Sequence, residues 1–197
     1  MATNLAQASK RPNLGLATQY TLVDQVRVLL REAPLVRPTT PGGAPMRVRV
    51  SAAGSYGWVG DGAYRYDATQ ANGKPWPAIP ELWTQLADEA VGAHPWDSAI
   101  INWYDEDASL GWHRDLSERD HTLPIVTLSL GDDCSWAVRA DEESPIHRCQ
   151  LTSGDVTVLE GDTRLALHTI ERIIPAPLLS PLGVTRGRLS ITLRVAG

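Results

Sequence analysis

Two histidines and one aspartate form the most informative group of residues in this chain. His113 and Asp115 are one residue apart in a strand-like run, and His168 follows much later. Two imidazoles and one carboxylate can hold Fe(II) on one face and leave its other positions open, as in non-haem oxygenases. Arg188 and Arg194 lie near the C-terminal end, and a guanidinium is suited to binding an acidic cosubstrate. These residue types would permit oxidative chemistry at a metal.

Each of these signals is weak when it stands alone. An HxD pair occurs often by chance, a single histidine is usually structural, and two nearby arginines can form a solvated edge. Their order along the chain is more informative than any one of them. Asn102-x-Tyr104 comes first, followed by the HxD pair, further strands, a strand histidine and then the arginines. The residues alone leave open a non-enzymatic jelly-roll binding module in which His113 and His168 are packing residues.

Composition and charge set broad limits. The chain has 197 residues, 43% of them hydrophobic, which predicts one globular domain. Cys134 and Cys149 are not spaced as in a disulfide framework, so we expect a reducing, cytoplasmic setting. No apolar run reaches the roughly 18 residues that span a membrane, so we expect no membrane association. The net charge of -5 does not favour a nucleic-acid partner, but a local basic face would suffice for one.

The pattern of apolar residues predicts an α+β domain. Residues 1–16 are expected to be mobile or loosely attached. Two helices are predicted, from about Thr21 to Glu32 and from Pro80 to Val91. Short apolar runs between Gly, Asp and Ser clusters then predict the strands of a sandwich or jelly roll. The predicted strands are Met46–Ser51, Ala99–Tyr104, Leu123–Leu130, Ser135–Arg139, Asp155–Leu159, Arg164–Thr169 and Leu189–Val195.

The alternation of side chains along a strand assigns the polar residues to common faces. One face of the last strand carries Arg188, Ser190, Thr192 and Arg194. By the same rule, Arg164 shares a face with His168, and Asn102 shares one with Tyr104. In a closed jelly roll these polar faces would meet in one pocket.

Several short blocks, in the same order, resemble the bacterial type of the AlkB family. The resemblance spans roughly residues 18–197, nearly the whole chain. Its main blocks are Asn102-Trp103-Tyr104, His113-Arg114-Asp115, Leu123–Gly131, Gly161–His168 and Arg188–Arg194, preceded by Thr40–Gly43, Gly57-Trp58, Tyr64–Tyr66 and Asn72–Pro77. The family implies one domain over residues 17–197. It has a double-stranded β-helix (jelly-roll) core over about 98–197, N-terminal helices packed on one sheet, and a nucleotide-recognition lid over about 40–78.

The resemblance also implies site residues. His113, Asp115 and His168 would hold Fe(II), with 2-oxoglutarate and O2 at the remaining positions. Arg194 would bind the far carboxylate of 2-oxoglutarate, and Arg188 the carboxylate nearer the metal. Further positions that line the cosubstrate site are Asn102, Tyr104, Leu110, Ser190 and Thr192. The positions expected to contact a substrate base are Trp58, Tyr64, Tyr66, Ser117 and Arg139.

The implied activity is oxidative dealkylation of N-alkylated bases in DNA, with RNA as a further candidate. This direct-reversal repair would release an aldehyde, succinate and CO2. We expect alkylated single- or double-stranded DNA as the partner of a monomeric enzyme, and the damaged base must leave the helix stack. The alternative is the same oxygenase core acting on a modified RNA, a protein or a small molecule.

Departures from the family pattern concern base recognition. The family often carries a second acid, HxDxD, and here that position is Ser117, which can form hydrogen bonds but cannot stabilise a cationic base by charge. The substrate-contacting arginine of the bacterial type aligns near residues 142–143, and Arg139 is the nearest replacement. The interval between Trp58 and Tyr64 is one residue shorter than in the family, which suggests a remodelled lid. The preferred lesion stays open.

Overall fold

The structure is a computed structural model that describes residues 5–176 and 186–197. Its helices are α1 (Leu5–Ala8), α2 (Leu16–Glu32) and α3 (Glu81–Val91), with a 3-10 turn at Gly161–Thr163. Its strands are β1 (Lys10–Arg11), β2 (Val48–Gly54), β3 (Gly57–Gly60), β4 (Tyr64–Asp67), β5 (Ser98–Tyr104), β6 (Leu110–His113), β7 (Ile125–Gly131), β8 (Asp133–Arg139), β9 (His147–Leu151), β10 (Val156–Leu159), β11 (Leu167–Ile174) and β12 (Arg188–Arg194).

Antiparallel pairing arranges most of these strands in two sheets. The larger sheet has the order β1-β10-β7-β12-β5-β2, the smaller one β6-β11-β8-β9, and β3 with β4 forms a separate hairpin. Helices α2 and α3 pack on one face of the larger sheet. A second apolar cluster joins β2 and β5 of the larger sheet to β8 and β11 of the smaller one. The predicted jelly-roll core, with helices packed on one sheet, is confirmed.

Strand β12 shows how one sequence serves both faces of the larger sheet. Leu189, Ile191 and Leu193 are fully buried in the cluster that includes the helices. The alternate residues line a cavity between the two sheets: Arg188, Ser190, Thr192 and Arg194. The predicted alternation is therefore confirmed, and the polar face is turned inward because the smaller sheet covers it.

The helix boundaries differ from the prediction at one end. Helix α3 follows Pro80 and ends at Gly92, as predicted. Helix α2 begins earlier than predicted, at Leu16, after an extended Gly15 that offers no side-chain cap. Thr21, the predicted start, lies inside the helix, where its hydroxyl donates to the Ala17 carbonyl. Of the described helices, none combines the length and the apolar character that crossing a membrane requires.

The N-terminal segment that was expected to be loosely attached contributes to the larger sheet. Strand β1 pairs with β10 at the sheet edge. Lys10 Nζ lies 2.7 Å from Asp155 Oδ2, and the Asp155 carboxylate also accepts the backbone N–H of Thr152 at 2.7 Å. These contacts attach residues 9–11 to the sheet. Residues 1–4 lie outside the described part of the chain.

The range 40–78, predicted to be a lid, has two parts in the structure. Strand β2 lies within it but is the edge strand of the larger sheet, with Val48 and Val50 buried. The hairpin β3–β4 stands outside both sheets. Trp76 supports it: its indole donates to the Asp67 carbonyl at 2.9 Å, and a Cβ at Gly57 would lie 2.2 Å from its ring. Strand β2 therefore belongs to the core, and the lid stays a prediction for the hairpin and its flanking loops.

Candidate active site

The three predicted metal ligands come together where β6 and β11 pair. His113, the last residue of β6, lies opposite His168 in the register of the two strands, and Asp115 follows shortly after β6. The ligand atoms of the three side chains lie within 4.8 Å of one another. The Nε2 atom of His113 is 4.0 Å from Asp115 Oδ1, and that of His168 is 3.7 Å from Asp115 Oδ2. One ion could contact all three.

Backbone carbonyls fix the orientation of both imidazoles. His113 Nδ1 lies 2.8 Å from the Gly111 carbonyl oxygen, and His168 Nδ1 lies 3.0 Å from that of Ala166. An Nδ1–H that donates to a carbonyl leaves the Nε2 lone pair free for a metal, and Nε2 is the atom facing Asp115 in both rings. Burial, together with the neighbouring His113, lowers the pKa of His168 to about 4, so this ring is neutral as a ligand must be.

The Asp115 carboxylate is held in its ionised form. Burial opposes ionisation, but Arg194 and the two imidazoles outweigh it and keep the pKa of Asp115 well below its usual range. An ionised carboxylate and two imidazoles converging on one point fit Fe(II), with positions left open on the other side. The structure therefore brings together the three donors predicted from the sequence.

An irregularity in β6 brings Leu110 into the same cavity as His113. These two residues are three apart, a spacing that would place them on opposite faces of a regular strand. Their partners on β11, Ile170 and His168, are only two apart, so β6 carries one extra residue between them. As a result, both Leu110 and His113 line the cavity between the sheets.

This cavity collects every residue that was predicted to bind the cosubstrate. It is lined by Asn102, Tyr104, Leu110, Arg188, Ser190, Thr192 and Arg194, together with the three metal ligands. Two register pairs between β5 and β12 set the residues side by side: Tyr104 lies opposite Arg188, and Asn102 lies opposite Ser190. One wall of the cavity is consequently polar and runs from the metal ligands to the buried Arg188.

Arg188 is a buried cation for which the described residues provide no carboxylate partner. Its side chain is 1% exposed. Nη2 donates to Ser129 Oγ at 2.7 Å and Nη1 to the Asp132 carbonyl at 3.3 Å, while Nε has no hydrogen-bond partner among the described residues. A buried charge without a counter-ion is costly, so this end of the cavity is built for an anion. Burial raises the pKa of Tyr104 to about 12, so its hydroxyl remains protonated and can donate to the same group.

Arg194 occupies the metal end of the cavity. Its Nη2 lies 3.1 Å from Asp115 Oδ1, and its Nη1 lies 2.5 Å from Glu118 Oε1. The resemblance placed Arg194 at the far carboxylate of 2-oxoglutarate and Arg188 at the nearer one. The geometry favours the opposite order, because Arg194 is bonded to a metal ligand and Arg188 is at the other end of β12. Family blocks alone did not show which end of the strand meets the metal.

Glu118 is a site residue that the sequence analysis missed. It is 4% exposed, and its carboxylate accepts hydrogen bonds from Arg194, from Arg164 Nη2 at 3.2 Å and from the Tyr66 hydroxyl at 2.6 Å. Two arginines and two acids, Asp115 and Glu118, thus balance one another beneath the metal site. An acid next to Ser117 was visible in the sequence, but nothing there showed that it turns inward.

Arg164 reaches the site by a different route from the predicted one. It was expected on the strand face of His168, but β11 begins only at Leu167, and Arg164 closes the preceding 3-10 turn. From there its Nη1 donates to the Asp115 carbonyl at 3.0 Å, and its Nε donates to the Leu123 carbonyl at 2.7 Å. Arg164 therefore fixes the backbone that carries a metal ligand.

A wider cleft of about 490 Å³ opens above the metal ligands. Three of the residues predicted to contact a base line it: Trp58, Tyr64 and Ser117. The rings of Trp58 and Tyr64 form a tilted pair with their centroids 5.1 Å apart. Two others do not line it. Tyr66 is turned inward to Glu118, and Arg139 lies behind Trp112 with its guanidinium carbon 4.7 Å from that ring.

Similarity to known proteins decides the family. Residues 13–194 match the model of the 2OG-Fe(II) oxygenase superfamily. An α-ketoglutarate-dependent dioxygenase AlkB homolog of Caulobacter vibrioides (strain NA1000 / CB15N) is 37% identical over 190 residues, covering 93% of this chain and 84% of the relative. The chain belongs to the AlkB family. It is thus similar along nearly its whole length to a dioxygenase that uses 2-oxoglutarate.

Two further similarities describe this AlkB-family chain. A DNA N(6)-methyladenine demethylase, ALKBH1D of Arabidopsis thaliana, is 34% identical over 125 residues, covering 58% of this chain and 28% of the relative. The solved structure of OsALKBH1 matches with a TM-score of 0.73 and 24% identity, covering 89% of this chain and 91% of the other. The latter supports the jelly-roll fold and no more than the fold.

Membership of the AlkB family makes the protein an Fe(II)- and 2-oxoglutarate-dependent dioxygenase that consumes O2. His113, Asp115 and His168 are the residues that hold its iron. Bound Fe(II) supplies the activation of O2 that couples decarboxylation of 2-oxoglutarate to oxidation of a second substrate. The family prediction and the cofactor prediction are confirmed, and the non-enzymatic binding module is excluded.

Asp132 is a second residue of the AlkB-family site that the sequence did not reveal. Its carboxylate accepts the backbone N–H of Gly187 at 2.8 Å and that of Ala176 at 2.9 Å, and its carbonyl accepts Nη1 of Arg188. Gly187 has a φ of +145°, and a Cβ there would lie 2.1 Å from the Trp103 ring. Asp132 therefore fixes the backbone just before β12, at a position where only glycine fits. Through this backbone it also fixes the position of Arg188.

Proposed function

We propose that this AlkB-family enzyme removes alkyl groups from ring nitrogens of nucleic-acid bases, with alkylated single- or double-stranded DNA as its substrate and RNA as a further one. The observation that carries the proposal is the aromatic cleft directly above the metal ligands, with Trp58 and Tyr64 on its lid side. A base that has left its stack needs an aromatic surface and polar edge contacts. A relative named as a DNA demethylase supports the same substrate class.

The proposed cosubstrate pose follows from the two arginines. The far carboxylate of 2-oxoglutarate pairs with Arg188, the buried cation that lacks a counter-ion, and accepts the Tyr104 hydroxyl. The nearer carboxylate lies by Arg194, which also holds Asp115 in place. Asn102 and Ser190 supply hydrogen bonds between the two ends. Among the described residues, the buried Nε atoms of both arginines have no hydrogen-bond partner, which supports this order.

The protein's own part in the reaction is positioning and exclusion of water. The β3–β4 hairpin covers the base, and Trp58 holds it by stacking so that the N-alkyl carbon faces the metal ligands. Oxidation of that carbon gives a hydroxylated N-alkyl group, which breaks down to an aldehyde and the restored base. Succinate and CO2 are the products of the cosubstrate. The chain thus reverses the damage without cutting the strand.

Ser117 sets the proposed base preference. It lines the cleft, whereas the neighbouring Glu118 is committed to two arginines and Tyr66. The edge of the bound base therefore meets a hydroxyl and no free carboxylate. A cationic base such as N1-methyladenine gains no charge stabilisation at this point, so neutral adducts, such as etheno bases, should be relatively better substrates.

A panel of modified oligonucleotides tests the proposal. Purified protein is incubated with Fe(II), 2-oxoglutarate and single-stranded, double-stranded or RNA oligonucleotides that carry methylated or etheno bases. Mass spectrometry of the base and an assay of released aldehyde should show repair that depends on 2-oxoglutarate and is absent in His113→Ala. If 2-oxoglutarate is consumed but no oligonucleotide is repaired, the same core acts on a protein or a small molecule.

A further inference from the structure

We propose that Trp112 and Arg139 form a platform that stacks a nucleobase adjacent to the one being repaired, and this inference rests on the proposed function. Trp112 is 37% exposed and lines the cleft. The Arg139 guanidinium lies over its ring, with the carbon 4.7 Å from the centroid. An indole with a cation on one side and an open cleft on the other is suited to stacking a base.

The position of Trp112 separates it from the base that enters the metal site. Val138 lies opposite His168 and is buried in the core between the sheets, so it faces inward. Its neighbour Arg139 consequently faces outward, because successive strand residues alternate. Trp112, which packs against Arg139, is therefore at the outer edge of β6, whereas His113 faces the cavity. A base stacked on Trp112 lies beside the reacting base.

Arg139 is held in place for this role. Its Nη1 donates to the Glu142 carbonyl at 2.6 Å, which fixes the guanidinium under the indole. Arg139 therefore acts through Trp112 as a positioning residue. The resemblance implies that Arg139 replaces a substrate-contacting arginine. In this inference Arg139 does not contact the substrate itself but supports Trp112, which does.

Positively charged side chains line the same cleft. Arg47 and Arg114 line the cleft together with Trp112. Aromatic surfaces interleaved with cations are the usual means of holding a single strand, since the cations follow the phosphates and the rings stack the bases. A chain with a net charge of -5 can bind nucleic acid in this way because the charge is local. The occupant that fits is the flanking nucleotide of a single strand.

Oligonucleotides with missing bases test this inference. Two single-stranded DNA pentamers carry a central N3-methylcytosine, one with ordinary neighbours and one with abasic residues on both sides of the lesion. On the ordinary pentamer, Trp112→Ala should lower kcat/KM on the order of tenfold, as expected for one lost stacking contact. On the abasic pentamer, wild type and Trp112→Ala should have equal kcat/KM, because no flanking base is present to stack.

Matched variants keep the result interpretable. Trp112→Phe retains a ring and should preserve most of the difference between the two pentamers, even if Trp112→Ala fails to fold. Arg139→Gln should show a smaller loss that again depends on the flanking bases. Tyr20→Ala removes an exposed aromatic residue from α2 and should leave kcat/KM unchanged on both pentamers.

Two outcomes overturn the inference and are distinct from each other. If Trp112→Ala lowers kcat/KM by the same factor on both pentamers, Trp112 contacts the target base or stabilises the fold, and it does not stack a flanking base. If it loses nothing on either, the indole is not used. Failure of wild type to repair the ordinary pentamer would instead overturn the proposed function itself.

Discussion

Arg194 Nη2 lies 3.1 Å from Asp115 Oδ1, so the arginine at the metal end of the cavity is bonded to a metal ligand. Its Nη1 is simultaneously bonded to Glu118. A lysine has one ammonium group and cannot bridge both carboxylates as the planar guanidinium does. Arg194→Lys should therefore weaken Fe(II) binding on the order of tenfold, the scale of one charged hydrogen bond. Anaerobic Fe(II) titration measures this, and unchanged iron affinity would contradict it.

Arg188→Lys should have a different signature. Arg188 contacts no metal ligand, and it is the buried cation without a carboxylate partner in the described residues. We expect the KM for 2-oxoglutarate to rise tenfold or more, on the order of a lost bidentate contact, with little change in Fe(II) affinity. Separate titrations of Fe(II) and 2-oxoglutarate in Arg188→Lys and Arg194→Lys show which of the two affinities each variant weakens. Identical profiles for the two variants would show that the assigned order of the arginines is wrong.

Asp132→Asn tests the residue that positions Arg188. The two carboxylate oxygens each accept one backbone N–H, from Ala176 and from Gly187. Asparagine replaces one of these oxygens by an NH2 group that cannot accept, so one hydrogen bond is lost and the other loses its charge assistance. We expect a several-fold higher KM for 2-oxoglutarate with kcat nearly unchanged. Asp133→Asn is the matched control, because the Asp133 carboxylate accepts a hydrogen bond from the side chain of exposed Gln150. If KM for 2-oxoglutarate rises equally in both variants, the rise reflects a general loss of stability and no specific role of Asp132.

The fold and the centre of the site were predictable from the sequence because both depend on local rules. The polar face of β12 follows from strand alternation, and the ligands His113 and Asp115 are close in sequence. The order of Arg188 and Arg194 along the cosubstrate, which we propose to be the opposite of the one the resemblance implies, depends on how two sheets face each other and so could not be predicted from local rules. The inward turn of Glu118 and Tyr66 could not be predicted either, since each is satisfied only by a partner distant in sequence.

Boundaries failed where no side chain marks them. Helix α2 begins after Gly15, which has no capping side chain, whereas the sequence pattern predicts a start at Thr21, inside the helix. Arg164 was assigned to a strand because the residues around it are apolar, but a 3-10 turn places it under Asp115. In both places tertiary contacts decide the local structure. Sequence periodicity carries no information about them.

Ser117→Asp tests the base preference. A carboxylate at this position would lie in the cleft and stabilise a positively charged base, and Glu118 cannot because it is already paired. We expect the ratio of kcat/KM for N1-methyladenine over an etheno base to rise on the order of tenfold, the scale of a charge-assisted hydrogen bond. Competition between the two oligonucleotides measures the ratio directly. Ser117→Ala provides the control without charge, and a ratio that stays constant in Ser117→Asp would show that this position does not read the base.

The central claim is that His113, Asp115 and His168 hold one ferrous ion at which 2-oxoglutarate also binds. Anaerobic addition of Fe(II) and then 2-oxoglutarate tests it most directly, because their joint binding gives a weak visible charge-transfer band. We predict that the band appears with wild type at a one-to-one ratio and is lost in Asp115→Ala, while circular dichroism shows the fold retained. No band with wild type, or an undiminished band in Asp115→Ala, would contradict the assignment of the metal site.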